Sequence, residues 1–280
     1  MEFGAIRPVQ SAIPTAQRRD ERRLGRLLGL FLISLTIPLG VGWRVAGATV
    51  SPAPTSTIVN PVAEGQQLAA RLRDLPPAEA SRVEGFLEIL PRVGPLQSIP
   101  MTCTITPLTN GWEVAYVARG SNATAGSVLA IIHRPGQLSV YRWGKSTNMS
   151  DSAASPGRLL EPFAGSDFWA QDLGLDFLHW PQQRVLRAEM SRGQPCRVLQ
   201  STHPNPPASG YGRVLSWVDV ENGGIIQAEA YDKQGKLLKK FTLGSFEKVE
   251  GQWRLRNMRI RNTQTGSLTD LKFELNKPAN

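Results

Sequence analysis

The last third of the chain alternates apolar and polar residues with a period of two, punctuated by glycine turns. Four dipeptides mark the turns: Asn222-Gly223, Gln234-Gly235, Glu250-Gly251 and Thr265-Gly266. X-Gly between strand-like runs signals a hairpin, because type I′ turns need positive φ. The spacing therefore predicts a five-strand meander over Arg213 to Leu275. Two-residue loops fix its register. Trp217 faces Ala228, Leu215 faces Ala230, Ala228 faces Phe241 and Ile226 faces Leu243. Phe241 then faces Ile260, Leu243 faces Met258, Ile260 faces Leu271 and Met258 faces Phe273. All these apolar residues fall on one side of the sheet. The other side collects Gln227, Glu229, Lys240, Thr242, Arg259, Arg261, Asp270 and Lys272, with Glu229 opposite Lys240 and Arg261 opposite Asp270. Such a sheet has one solvated face and one that another layer must cover.

Upstream the periodicity changes twice. Leu68, Leu72 and Leu75 predict a helix over Ala63 to Leu75, ended by Pro76-Pro77. Val83, Phe86, Leu87 and Leu90 predict a second helix over Ala78 to Leu90. Strands follow around Asn110-Gly111 and Pro135-Gly136, and Lys145 to Gly157 reads as a polar loop. Leu159 to Trp180 is a broken helical stretch rich in Phe, Trp and Leu, with Ser166 as N-cap of a piece beginning at Asp167. A further hairpin turns at Arg192-Gly193. The sum is about 9–11 antiparallel strands and three helical segments without βαβ alternation. The fold class is α+β: a strongly curved antiparallel sheet with helices covering its apolar face.

The N-terminus carries Arg18, Arg19, Arg22, Arg23 and Arg26, then an apolar run from Leu27 to Trp43, then Ala46-Gly47-Ala48. That order describes a signal peptide over residues 1–48, cleaved after Ala48. An uncleaved inner-membrane anchor is the alternative, against which Pro38 and the glycines count. Residues 49–61 read as a Pro/Ser/Thr linker and residues 62–280 as one domain. The chain carries +9 overall. Seven basic and three acidic residues precede Thr49, so the remainder carries +5, scattered over strands rather than clustered. Nucleic acid is not an expected partner.

Candidate chemistry is sparse. Gly144-Lys145-Ser146-Thr147 lacks the upstream glycine of a phosphate loop, and Gly210-Tyr211-Gly212 precedes a strand rather than a helix. His133, His179 and His203 have no ligand spacing, and no Cys-x-x-Cys is present, so neither a metal nor a cofactor is expected. No serine sits in a G-x-S-x-G elbow. Asp167, Asp172 and Asp176 read as caps and a solvated edge rather than an acid–base cluster. The reading is non-enzymatic. Cys103 and Cys196 are the only cysteines, and export would permit a disulfide that the sequence leaves open.

The stretch Ser166 to Leu275 resembles the outer-membrane lipoprotein-sorting protein family, of the Lol-type lipoprotein carrier superfamily. The resemblance rests on Ser166-Asp167-Phe168-Trp169-Ala170-Gln171-Asp172-Leu173-Gly174-Leu175 and Phe177-Leu178-His179-Trp180-Pro181. It continues through Gly193-Gln194-Pro195-Cys196-Arg197-Val198, Val218-Asp219, Gly223-Gly224, Ala228-Glu229-Ala230-Tyr231-Asp232, Gly235-Lys236-Leu237-Leu238-Lys239, Trp253 and Met258-Arg259-Ile260. The family usually has Tyr-Glu-Asp-Leu where Trp169-Ala170-Gln171-Asp172-Leu173 stands here. The resemblance implies a half-open barrel wrapped over helices, and a periplasmic carrier that shields lipoprotein acyl chains or another lipid. It also implies membrane-bound donor and acceptor proteins. The expected cavity lining is Leu215, Trp217, Ile226, Phe241, Leu243, Met258, Ile260, Leu271 and Phe273. Phe163, Phe168, Trp169, Leu173 and Phe177 would form its lid. A structural or interaction module of the cell envelope with the same fold is the competing expectation.

Overall fold

In the computed structural model, the described residues are 58–275, apart from 78, 121–125, 146–147, 154–155, 222, 250 and 251. The stretch expected to be a signal peptide, its expected cleavage site and most of the expected linker lie outside them. The chain opens with helix α1 (Pro61–Asp74). Asn60 caps it by accepting from the Ala63 amide at 3.1 Å, and Pro61 stands at the first helical position. The capped start of α1 thus falls inside the stretch read as linker. The buried stripe of α1 is Gly65, Ala69 and Leu72. A side chain at Gly65 would run into the Arg184 backbone, so the helix rests directly on a strand.

Six strands follow: β1 (Ser81–Leu90), β2 (Gln97–Leu108), β3 (Gly111–Ala118), β4 (Ser127–His133), β5 (Val140–Lys145) and β6 (Asn148–Ala153). A strap of short pieces comes next. It holds 3-10 turns at Pro156–Leu160, Phe163–Gly165 and Asp176–His179, and a one-turn helix α2 (Ala170–Leu173). The remaining strands are β7 (Gln182–Ser191), β8 (Gln194–Thr202), β9 (Arg213–Asp219), β10 (Ile225–Tyr231), β11 (Leu237–Leu243), β12 (Phe246–Val249), β13 (Gln252–Leu255), β14 (Asn257–Asn262) and β15 (Leu268–Glu274). Thirteen form one antiparallel sheet in the order β6-β5-β4-β3-β2-β1-β15-β14-β11-β10-β9-β8-β7, while β12 and β13 form a separate hairpin. The sheet is curved and does not close on itself. Two more strands join it than the upper expectation of eleven.

Three expectations about elements are corrected. The second helix is strand β1. Its buried residues are Gly85, Leu87 and Ile89, a period-two set that shares only Leu87 with the i, i+3, i+4 stripe. Pairing with β2 on one side and β15 on the other overrides the helical spacing. The polar loop at 145–157 contains β6 and the start of a 3-10 turn. Ser166 caps no helix. Its hydroxyl accepts from the Phe168 amide, and α2 begins later at Ala170, where Asp172 accepts from the Trp169 amide at 2.8 Å.

The register tests the turn argument strand by strand. Ala228↔Phe241, Phe241↔Ile260 and Leu243↔Met258 pair as expected. The β12–β13 hairpin continues the β11–β14 register, since Val249 pairs with Gln252. Three loops are longer than two residues. Between β10 and β11 the Asp232 amide bonds the Lys236 carbonyl, so three residues turn the chain, and a bulge between Ala230 and Tyr231 restores the expected register. Between β14 and β15 the amide of Asn262 bonds the Ser267 carbonyl, so four residues turn the chain. Ile260 therefore pairs with Thr269 and Met258 with Leu271, instead of Leu271 and Phe273. A shift of two keeps every side chain on its expected face. Arg259, not Arg261, consequently pairs with Asp270, at 2.7 Å. Between β9 and β10, Asp219 pairs across the turn with Gly224, again a shift of two. A β-bulge between Ile225 and Gln227 then adds one more residue. Parity is lost beyond it: Ala228 faces Ser216 and Ala230 faces Val214. Trp217 and Leu215 turn to the opposite side, where they pair with Gln227 and Glu229.

Candidate functional site

A row of paired residues crosses the concave wall from β1 to β7. It reads Ile89, Thr269, Ile260, Phe241, Ala228, Ser216, Leu199 and Val185. A second row runs Leu87, Leu271, Met258, Leu243. The strap from Phe163 to Trp180 lies over this wall and buries Phe163, Phe168, Leu173, Phe177, Leu178 and Trp180. Short pieces suit that role. Ala164 and Leu175, both non-glycine, sit in the left-handed region at φ 50° and 51°, so the strap turns sharply where a longer helix would run straight.

Between strap and sheet is a cavity of about 30 Å³. Phe168, Leu173, Leu175 and Phe177 line it from the strap. Val214, Ile225, Ala228, Ala230, Phe241, Met258 and Ile260 line it from the sheet. The remaining lining is polar: Asp172, Tyr211 and Lys239. Of the expected lining, Phe241, Met258 and Ile260 stand on the cavity. Leu243, Leu271 and Phe273 are buried on the same wall but lie beside it. Leu215 and Trp217 lie on the other face, and the Trp217 indole N–H donates to Glu189. Ile226 is the extra residue of the bulge and is off the cavity. Of the expected lid, Phe168, Leu173 and Phe177 reach the cavity. Phe163 packs instead on Tyr116 and Trp143, over the other half of the sheet, and Trp169 stacks on Tyr211 with ring centroids 5.0 Å apart.

The strap is fastened to the sheet by polar contacts. Lys239 belongs to the inward column of β11, between Leu237 and Phe241, and is 2% exposed. Its Nζ donates to the Asp167 carbonyl at 2.7 Å and to the Asp172 carboxylate at 3.0 Å, and lies 3.4 Å from the Trp169 ring centroid. The Tyr211 hydroxyl donates to the other Asp172 oxygen at 2.7 Å. Burial lowers the Lys239 pKa against the raising effect of Asp172, and raises that of Tyr211 well above the ordinary phenol range. A second fastening joins Asp167 to Ser267 and Thr269, whose hydroxyls both donate to its carboxylate. Asp167 and Asp172 are thus structural anchors rather than a solvated edge. Sequence reasoning missed Lys239 and Tyr211. The available signal was a lysine at an inward position two residues before Phe241.

Other expected features resolve plainly. Cys103 and Cys196 are both free and buried. Burial pushes the Cys196 thiol up to about 12. Among the described residues no group of three or more His, Cys, Asp or Glu could hold a metal ion, and no helix is long and apolar enough to cross a membrane. His133 and His179 approach one hydroxyl: Ser139 Oγ lies 3.0 Å from His133 Nδ1 and 3.2 Å from His179 Nε2.

A half-open sheet with a fastened apolar cover matches solved structures over most of the chain. A DUF1329 family protein from Desulfovibrio piger has a TM-score of 0.63 at 20% identity, covering 78% of this chain and 92% of that one. A candidate outer membrane lipoprotein-sorting protein domain from Vibrio parahaemolyticus gives 0.59 at 20%, covering 78% and 95%. A LolA superfamily protein from Nitrosomonas europaea gives 0.53 at 16%, covering 77% and 92%. The chain shares the fold of these three structures. A protein-family model described as "Uncharacterized protein" matches residues 150–278, a little under half the chain. Among curated proteins none matches significantly.

Proposed function

We propose that this protein is a periplasmic lipid carrier, which holds lipoprotein acyl chains or another lipid between the concave wall and the strap for delivery to the outer membrane. The observation that carries the reading is the wall of β14, β11 and β10, apolar apart from Lys239, beneath a cover built from one-turn pieces. The shared fold with lipoprotein-sorting proteins supports it. The N-terminal basic–apolar–small pattern supports export, with residues 1–48 as signal and 49–61 as linker. Membrane-bound donor and acceptor proteins would complete the route.

In its closed form the site holds about two waters, far below the several hundred Å³ of a drug-sized pocket. An acyl chain therefore enters only when the strap lifts. Burial contributes about 0.8 kcal/mol per methylene, so roughly ten methylenes supply about 8 kcal/mol towards parting the cover. The small volume also favours a second reading, in which the same residues are only a packed core of an envelope scaffold.

One experiment separates the two. The mature protein, isolated from the periplasm without detergent, is expected to carry lipid adducts in native mass spectrometry. Phe241→Glu is expected to remove the adducts and leave a folded protein. A lipid-free wild type, or a Phe241→Glu protein that cannot fold, supports the scaffold.

A further inference from the structure

Lys239 stands on the sheet, while its counter-charge stands on the strap. The ammonium is held by the Asp172 carboxylate, the Asp167 carbonyl and the Trp169 ring, all three from the cover. On the sheet side its inward neighbour on β11 is Phe241, and its cross-strand partners are Ala230 on β10 and Asn262 on β14. When the strap lifts to admit a chain, Asp172 leaves with it. The ammonium then keeps only the Tyr211 ring, 5.7 Å away, and has no counter-charge, which is costly unless a new anion arrives. Its lowered pKa reflects the same poor solvation.

Resting on the carrier reading above, we infer that the cavity selects amphiphiles with one anionic head, and that Lys239 binds this head in place of Asp172. The acyl chain then runs from Lys239 along Phe241 and Ala228 towards Ile260 and Met258, all of which line the same cavity. Tyr211 remains beside the site. Its hydroxyl, released from Asp172, becomes free to donate to the same head. A fatty-acid carboxylate and a phospholipid phosphodiester share the required chemistry. A neutral acyl ester lacks it and leaves the ammonium unpaired.

The test uses the full-length wild-type protein and three probes with the same sixteen-carbon chain: palmitate, 1-palmitoyl-lysophosphatidylglycerol and methyl palmitate. At least one anion is expected to bind roughly tenfold or more tighter than the neutral ester, since a hydrogen bond to a charged group is worth that factor. Which anion wins identifies the head. Lys239→Met combined with Asp172→Asn removes both charges together and leaves no unpaired charge, so the protein is expected to fold and to bind all three probes alike. A wild type that binds ester and anions equally overturns the inference and leaves the carrier reading intact. Failure of all three probes to bind overturns both. A double variant that folds and still prefers the anions overturns the role of Lys239.

Discussion

Two histidines share one serine hydroxyl where α1, the β4–β5 turn and the strap converge. His133 is 5% exposed, stacks on Trp112 at 5.3 Å and reaches Ser139, which also reaches His179. Burial lowers the pKa of each to about 4, with His179 further depressing His133 and Arg73 depressing His179. The unfolded chain therefore takes up these protons first, near the ordinary value of about 6.5. Stability from this pair is fully present above that value and is lost as pH falls towards 4. Urea midpoints measured between pH 7.5 and 4.5 are expected to fall, and His133→Gln is expected to flatten the fall. Identical pH profiles for the two proteins would remove the pair from the account. Nothing in the sequence announces it. His133 and His179 are 46 positions apart and meet only because β4 pairs with β5 under the strap. Lys239 was closer to legible, because alternation alone places it inward. What stayed hidden was its partner, since Asp172 sits in a stretch whose period matches no single element.

Elements were legible wherever the final pairing kept the parity that a turn dipeptide implied. Gln234-Gly235 implied the observed β10–β11 register, although its loop holds three residues and the bulge between Ala230 and Tyr231 takes up the difference. Asn222-Gly223 and Thr265-Gly266 mark real turns, but the loops are four residues long, so their pairings shift by two and the faces survive. The bulge at Ile225–Gln227 does more damage than both loops together, because an uncompensated odd shift reverses a face. A bulge is set by pairing on both sides of a strand and leaves no dipeptide signature. The strand β1 was misread for a related reason: its neighbours β2 and β15 supply the pairing that its own pattern does not reveal. Gly85 is the tightest point of that strand, where an added side chain would collide with the Lys272 carbonyl and the sheet is joined through Gly85↔Phe273. Gly85→Val is expected to force the two strands apart and destabilise the protein by about 2–3 kcal/mol. Chemical denaturation checks it, and a midpoint unchanged from wild type would show that the joint tolerates a side chain.

At the scale of the molecule, the sheet consists of two sequence-contiguous halves that meet only at β1 and β15. Strands β1 to β6 form one half, and β15 back to β7 forms the other. Seven ladder pairs, from Glu84↔Glu274 to Leu90↔Leu268, hold them together. These contacts span nearly the full described chain, so the loop that must close is long and folding is expected on the slow side of the range for β-rich domains. Ending the chain at Ser267 removes β15 and exposes an edge on each half. That truncated protein is expected to lose its single cooperative unfolding transition; a sharp two-state melt would show that either half stands alone. The overall α+β reading, with one curved sheet and an apolar inner wall, was available from the turn spacing. The meeting of first strand with last was not, because it leaves no local mark.

The position of that joint has a consequence for biogenesis. The ribosome and any export machinery deliver β1 first and β15 last among the strands, so β1 waits with one flank bare until β15 emerges. A bare strand flank invites pairing with any other extended chain nearby. For a protein proposed to cross a membrane before it folds, β15 works as the keystone: the greasy interior stays open to strangers until its seven residues drop into place.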